Sequence, residues 1–154
     1  MNRPVMVNLQ LTCIAAFLTA ATGCDSSPLL PVAGQVTLDG QPLTTGFVVF
    51  HPLDGEAIPA RQLPRGEIDR EGKYHLTSGV KPGAPPGRYR VVVVAQDRER
   101  RAPNPRSAVH PEPLPLVDRK YFDAGRTPLE AEVRADAPVD AYYLTVSAFA
   151  GGSP

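Results

Sequence analysis

The chain has 154 residues, with sixteen basic and sixteen acidic side chains and a formal net charge of zero. This length suits one domain, and the balanced charge argues against a nucleic-acid partner. Eighteen prolines and thirteen glycines disfavour long helices and are typical of short strands joined by turns.

The first residues have the composition of an export signal. Arg3 precedes an uncharged apolar segment at 9–21, which is shorter than the roughly 20 apolar residues of a membrane-spanning helix. Ala21-Thr-Gly-Cys24 then resembles a bacterial lipobox, the signal for cleavage before a cysteine that receives lipid. We therefore predict a lipoprotein signal peptide at 1–23, lipidation of Cys24 and a lipidated linker at 24–31. The alternative is an ordinary signal peptide cut near residue 23, with Cys24 left as a thiol; a transmembrane anchor fits the segment least.

Both cysteines of the chain lie in this N-terminal region. Cys13 falls in the segment that would be removed, and Cys24 would carry the lipid. The mature domain would then have no thiol, and therefore neither a disulfide nor a cysteine metal site.

Two strands are predicted at the start of the mature chain. Residues 32–38 alternate, with Val32, Val36 and Leu38 on one face. Asp39-Gly40 follows and predicts a tight turn. The second strand, Phe47-Val-Val-Phe-His51, is apolar on both faces and ends at Pro52.

A hairpin is predicted after an exposed loop at 54–64. Short strands at 65–68 and 73–77 flank Asp69-Arg-Glu-Gly72, which has the composition of a four-residue turn. The alternation places Tyr74 and Leu76 toward the core.

The strongest strand signal is Gly87-Arg-Tyr-Arg-Val-Val-Val-Val-Ala95. Its first half alternates arginine with apolar or small residues, whereas its second half is apolar on both faces. This pattern predicts an inner strand that becomes buried on both sides toward its end.

The last third of the chain combines a long loop with two further strands. Residues 97–116 mix charges with several prolines and predict an irregular segment. Residues 127–134 alternate strictly, with Leu129, Ala131 and Val133 inward, and residues 141–148 form the final strand before a flexible tail at 150–154. About seven short strands without a convincing helix predict an all-β domain at 32–149, a seven-stranded antiparallel β-sandwich.

Four segments together resemble carboxypeptidase-regulatory-like domains. The opening Val32-Ala-Gly-Gln-Val-Thr-Leu-Asp-Gly-Gln-Pro-Leu43 is similar to their V-x-G-x-V-x-x-x-G-x-P-L pattern, and Gly46-Phe-Val-Val-Phe50 to their next strand. Asp69-Arg-Glu-Gly-Lys-Tyr-His-Leu76 resembles their hairpin, and Pro86-Gly-Arg-Tyr-Arg-Val-Val-Val93 their P-G-x-Y-x-V strand. Lys120-Tyr-Phe-Asp123 and Leu129-Glu-Ala-Glu-Val133 resemble the end of small lipoproteins abundant in planctomycete bacteria.

The resemblance implies a transthyretin-like fold in an accessory or adhesive module, without catalysis. The related enzyme to consider is the transthyretin-like 5-hydroxyisourate hydrolase, which uses His and Arg residues and ends in Tyr-Arg-Gly-Ser. This chain ends in Ala-Gly-Gly-Ser-Pro and has no histidine in its opening strand, so the resemblance does not extend to that activity.

The sequence offers no set of residues that we assign to catalysis, a metal or a cofactor. His51, His75 and His110 lack the spacing of metal ligands. Asp39, Asp54, Asp69 and Glu71 lie in predicted loops. Asp69 and Glu71 are too close together for a calcium loop and are expected to form a turn.

Two further features of the sequence could contact a partner. The arginines of 98–101, with Arg106, are interleaved with acids and are expected to be solvated. Tyr142 and Tyr143 alternate, so only one can face the core, and the other could stack on a sugar or a partner.

These features predict an exported, non-enzymatic protein. It would be attached through the lipid on Cys24 to the extracytoplasmic side of a membrane, in the periplasm or at the cell surface. Its role would be binding or structural, with an envelope protein or a polysaccharide as partner and no nucleic acid. The second reading is a carbohydrate-binding module, which requires an aromatic patch on one sheet. The third is a hydrolase, which requires His and Arg to converge in a cleft.

Overall fold

The computed structural model describes residues 28–54, 58–104 and 107–150, with the backbone alone at 98–104 and 107–112. The predicted signal peptide at 1–23, the first half of the predicted linker at 24–27, including Cys24, and residues 151–154 lie outside the described residues. Within the described part the chain is all-β, and its helical segments are two 3₁₀ turns at Ala60–Gln62 and Arg119–Phe122. None of the helices described there is long and apolar enough to cross a membrane.

The small sheet is built around the first strand, β1 (Ala33–Leu38). The last strand, β12 (Tyr142–Val146), pairs with one side of β1. Two short strands, β2 (Gln41–Pro42) and β5 (Lys73–His75), pair with its other side in antiparallel orientation. Asp39 and Gly40 join β1 to β2 with positive φ at both residues (48° and 85°), so the predicted tight turn is confirmed.

The large sheet has six strands and is antiparallel throughout. Its spatial order is β11 (Glu130–Val133), β8 (Gly87–Val94), β3 (Phe47–Pro52), β4 (Pro64–Glu67), β6 (Thr77–Ser78) and β7 (Lys81–Pro82). The strand with the strongest sequence signal, β8, lies between β11 and β3, as predicted for an inner strand. Val92 and Val93, which point to opposite faces of β8, are both buried.

The two sheets share one hydrophobic core. The ring of Phe50 from the large sheet lies 6.5 Å from that of Tyr74 in the small sheet and 5.6 Å from that of Tyr89 on β8. Tyr74 and Leu76 are buried as the alternation predicts. The largest fully buried side chains come from both sheets: Tyr74, Tyr89, Phe50, Leu76, Val36, Val48, Val91, Val93, Val117, Val133, Val146 and Thr127.

The pairing of β1 with β12 departs from the predicted antiparallel architecture, because this ladder is parallel. Gly34 opposite Tyr142 allows the close approach: a β-carbon at Gly34 would lie 1.8 Å from the carbonyl oxygen of Tyr142. The described part also contains twelve strands, several of two residues, where about seven longer ones were expected.

The predicted hairpin of 65–68 and 73–77 forms only at its open end. Arg65 pairs with Thr77 and Pro64 with Ser78, but β5 leaves β4 and pairs with β1 in the other sheet. The turn at Asp69 therefore carries the chain between sheets. Tyr74 is buried between them, which explains why the chain crosses there.

The prediction of an irregular segment at 97–116 is wrong. The backbone forms a two-stranded antiparallel ribbon of β9 (Gln96–Asn104) and β10 (Ser107–Pro115), with two shifts of register. Both strands of such a ribbon are edge strands, where proline can occur because its missing N–H faces away from the ladder. The proline count therefore did not exclude pairing.

Different features lie at the two ends of the sheets. We call the end at which the described chain begins the entry end. There, Leu30 and Ala84 exchange two backbone hydrogen bonds of 2.8 and 2.9 Å, next to the start of β1 and shortly before β8. At the far end lie the Asp39–Gly40 turn and the start of the β9–β10 ribbon, which follows β8 directly. The chain thus enters the domain at the end opposite to the ribbon.

Candidate functional site

A groove of about 770 Å³ lies on the outer face of the large sheet. Strands β3 and β8 form its floor, and β4 and the segments around Thr45 and Leu63 form its walls. Its lining combines apolar and polar residues: Thr45, Gly46, Phe47, Val49, Ala60, Leu63, Arg65, Gly66, Glu67, His75, Thr77, Val94 and Gln96.

The floor of the groove is apolar because β3 and β8 are apolar on both faces. Phe47 lies opposite Val94 in the ladder. Val49, two positions after Phe47 on β3, is on the same face of the sheet. Phe47 is 45 % exposed, although it lies in the middle of the sheet order. A phenyl ring is therefore available for contact inside the groove.

The wall on β4 carries two charges of opposite sign. Arg65 and Glu67 are two positions apart on one strand and share its outer face, opposite Val49 and Phe47 respectively. Neither side chain forms an ion pair with any residue that the structure describes. Thr77 on β6 extends this wall, and its hydroxyl donates a 3.4 Å hydrogen bond to the backbone carbonyl of Arg65.

The other arginines of the large sheet are neutralised within the protein. The guanidinium groups of Arg88 and Arg90 both approach Glu130, with N–O distances of 3.7 and 3.5 Å. Arg134 is paired in the same way with Glu132 and Asp136, at 4.0 and 3.3 Å. Arg65 and Glu67 differ from these residues, because neither forms an ion pair within 4.0 Å in the part of the chain that the structure describes.

The three histidines are not brought together by the described residues. His75 lines the groove, whereas His51 lies on β3 opposite Arg90, where partial burial lowers its pKa. The side chain of His110 lies outside the described residues. Within the described part, no group of three or more His, Cys, Asp or Glu is placed to hold a metal ion.

The groove does bring one histidine and one arginine into the same cleft, His75 and Arg65. General acid–base chemistry needs a side chain held within hydrogen-bond reach of the group it serves. The His75 ring makes no hydrogen bond to a described residue. The groove therefore has two of the residue types of a hydrolase, without a hydrogen-bonded relay among the residues described.

The loop acids have structural contacts. Asp69 Oδ1 accepts hydrogen bonds from the backbone N–H groups of Glu71 and Lys73, at 2.9 and 2.8 Å, so its predicted turn-forming role is confirmed. Asp39 Oδ2 accepts a 3.2 Å hydrogen bond from the N–H of Ala148.

The exposed aromatic residues lie on different surfaces. Tyr142 is buried and Tyr143 is 68 % exposed, as the alternation of the last strand predicts. Tyr143 lines a smaller cleft of about 340 Å³ between the edge strands β11 and β12, with acidic residues of β11. Phe47 lies in the groove on the outer face of the other sheet, so these two rings do not form one aromatic platform.

Arg65, Glu67 and Phe47 were not predicted from the sequence as one set. The signal available was the spacing of Arg65 and Glu67, which puts them on one face of a predicted strand. Their position beside Phe47 depends on which strand pairs with β4, and a single sequence does not contain that information.

Comparisons with protein-family models, with curated proteins and with solved structures gave no match to this chain.

Proposed function

We propose that this protein is a lipid-anchored, non-enzymatic binding module of the cell envelope. Cys24 carries the lipid on the extracytoplasmic side of a membrane, and the two sheets form a transthyretin-like β-sandwich similar to carboxypeptidase-regulatory-like domains. The partner is an extended segment of an envelope protein, which binds in the groove on the large sheet.

Three features support the proposed fold. The two sheets pack through one core, to which Phe50, Tyr74 and Tyr89 contribute. The Asp39–Gly40 segment of the family-like opening is a turn, and Tyr74 and Tyr89 of the next motifs point inward. The motifs that carry the resemblance thus occupy structural positions that fit their chemistry.

The observation that carries the binding proposal is the unmatched charge pair beside an exposed ring. Arg65 and Glu67 lie on the groove wall without ion-pair partners among the described residues, and Phe47 lies between them and β8. A polypeptide segment can supply an apolar side chain together with an acid and a base at matching spacing. A neutral sugar supplies neither charge, and the groove contains one aromatic residue rather than a platform.

A photo-crosslinking experiment in cells tests the proposed partner. A benzophenone amino acid is placed at Phe47 in the full-length protein, and a matched control places it at Thr145, an exposed position on the outer face of the small sheet. We expect one dominant protein adduct from position 47 and none from position 145. Polysaccharide fragments at position 47, or equal capture at both positions, would contradict the proposal.

Charge reversal tests whether Arg65 and Glu67 recognise that protein. We expect Arg65→Glu and Glu67→Arg each to reduce the adduct at position 47 at least fivefold. The matched controls are Arg70→Glu and Glu71→Arg, which make the same charge changes on the exposed turn at the far end. Equal losses from the groove and control variants would show a nonspecific charge effect and would count against the groove.

The proposed anchor is tested separately by fractionation of Cys24→Ser. We expect the wild-type protein in the membrane fraction and the variant either released or retained as an unprocessed precursor. A variant that is processed and remains membrane-bound like the wild type would exclude lipidation of Cys24 as the anchor.

A further inference from the structure

The chain enters the domain at a fixed point. The two hydrogen bonds between Leu30 and Ala84 hold the first described residues against the segment that leads into β8. Gly83 makes this contact possible: it has φ +99°, and a β-carbon there would lie 2.3 Å from the carbonyl oxygen of Leu30. Whatever precedes Leu30 therefore leaves the domain from the entry end.

Three exposed apolar side chains lie at this end of the sheets. Val80 is 97 % exposed in the two-residue turn between β6 and β7, and it is four residues from Ala84, or at most about 14 Å along the chain. Val139 is 50 % exposed, and its carbonyl accepts a 2.7 Å hydrogen bond from Ala33 at the start of β1. Leu53 is 38 % exposed, and its N–H donates to Arg88 near the start of β8.

These residues are three of the five exposed large hydrophobic side chains in the described part of the chain; the other two are Phe47 and Tyr143. Clustering at one end is not expected of single exposed apolar residues, which are usually scattered. The β6–β7 turn is the clearest case, because no residue that the structure describes covers Val80.

The length of the N-terminal segment indicates what covers this end. Leu30 follows Cys24 by six positions, and six steps of fully extended chain span at most about 20 Å. A lipid on Cys24 would therefore keep the entry end within about 20 Å of the bilayer, whatever the conformation of the segment.

We infer that the entry end of the domain rests on the lipid bilayer, with Val80, Val139 and Leu53 in contact with the interfacial region. This inference rests on the proposed lipid anchor. Lys81 follows Val80 and can extend its ammonium group to the headgroups while its methylenes lie along the apolar surface. Asp54 and Asp140 lie in the same region, so the contact is apolar and does not require anionic lipid.

The orientation that results gives the far end a defined environment. The entry end faces the bilayer, and the start of the β9–β10 ribbon lies at the opposite end of the sheets. The start of the ribbon then lies on the side away from the bilayer, and the groove beside Val94 opens near that end.

Site-directed spin labelling tests this orientation in the full-length, lipidated protein. With Cys13 removed and Cys24 acylated, an introduced cysteine is the only thiol. The lipoprotein is reconstituted in phosphatidylcholine vesicles with a nitroxide at Val80→Cys or Val139→Cys. The control is Gln41→Cys, exposed at the far end and about 17 Å from the start of β1 along the strand.

The measured quantity is the ratio of the label's collision rate with oxygen to its collision rate with a water-soluble nickel chelate. We expect this ratio to be at least threefold higher at positions 80 and 139 than at position 41. Adding anionic lipid should not change this ratio. Labels at 80 and 41 that are equally accessible to the chelate, in a sample that floats with the vesicles, would overturn the docking surface and leave the anchor intact. Labelling of Cys24 itself, or failure to float, would overturn the anchor and the docking surface with it.

Discussion

The phenol of Tyr74 donates a 2.8 Å hydrogen bond to the backbone carbonyl of Tyr142. The two residues lie on β5 and β12, the strands on either side of β1, and Gly34 of β1 lies between them. Because Gly34 has no side chain, the Tyr74 ring can cross β1 and reach the last strand. This hydrogen bond thus joins β5 to β12 across β1, and the three strands are far apart in sequence.

Tyr74→Phe should destabilise the domain by about 1 kcal/mol, since it removes this buried hydrogen bond and leaves the ring packed on Phe50. The measurement is the free energy of unfolding in urea. Tyr143→Phe is the matched control: its ring is exposed, and we expect a change within about 0.5 kcal/mol. Equal effects of the two variants would mean that the Tyr74 hydroxyl contributes nothing to stability.

Gly34→Ala should cost about 3 kcal/mol or more, because the new methyl group would overlap the Tyr142 carbonyl and the Tyr74 hydroxyl. Gly40→Ala separates this clash from backbone strain: Gly40 has positive φ but open space around it, and we expect a loss of about 1 kcal/mol. Urea unfolding of both variants makes the comparison. A Gly34→Ala protein as stable as Gly40→Ala would contradict the close approach of β1 and β12.

Thr127 offers a test of a side chain that completes a strand pair. Its buried hydroxyl donates to the carbonyl of Val91 at 2.8 Å and accepts from the N–H of Leu129 at 3.2 Å. Thr127→Val keeps the shape but leaves both backbone groups unsatisfied, and we expect a loss of about 3 kcal/mol. Thr127→Ser keeps the hydroxyl and loses one methyl group, for which we expect about 1 kcal/mol. If Thr127→Ser proves the more damaging variant, packing rather than hydrogen bonding explains the residue.

Stability should fall in alkaline solution. Burial raises the pKa of Tyr89 to about 12, and burial together with Tyr142 raises the pKa of Tyr74 further above its ordinary value. The folded state therefore keeps these protons at a pH where the unfolded chain has released them. Their contribution is fully present below pH 10 or so, the ordinary tyrosine pKa, and is lost as pH rises toward 12.

Unfolding free energies from pH 8 to 11.5 measure this decline. The Tyr89→Phe variant lacks one of the two phenols with a raised pKa. Its free energy of unfolding, relative to its own value at pH 8, should therefore fall less steeply with pH than that of the wild type. An unchanged slope in that variant would show that Tyr89 does not contribute to the pH dependence.

Local patterns in the sequence predicted the strands and their buried faces well. The alternation at Leu129 and Val133, and that at Tyr142 and Tyr143, depends only on which residues share a strand face, so one sequence is sufficient. The Asp39–Gly40 turn is local in the same sense, since its geometry follows from the two residues that form it.

The pairing of strands could not be predicted in the same way. Nothing near Tyr74 indicates that β5 leaves β4 for β1, because the gain is burial of its ring against residues distant in sequence. The β9–β10 ribbon could not be recognised from its composition, because prolines and charges occur both in irregular segments and in edge strands. The groove at Arg65 and Phe47 exists only through the β3–β4 ladder, so its charges could not be recognised as one set.

The parallel ladder between the first and last strands sets the order in which the domain can be completed. Thr37 and Thr145, which contact each other across it, are 108 positions apart. Pairing over such a distance is slow, because a long loop must close before its contacts form. During synthesis, β1 has no partner on that side until β12 has left the ribosome. For a protein that is exported as we propose, the small sheet of the precursor stays incomplete until β12 can pair with β1.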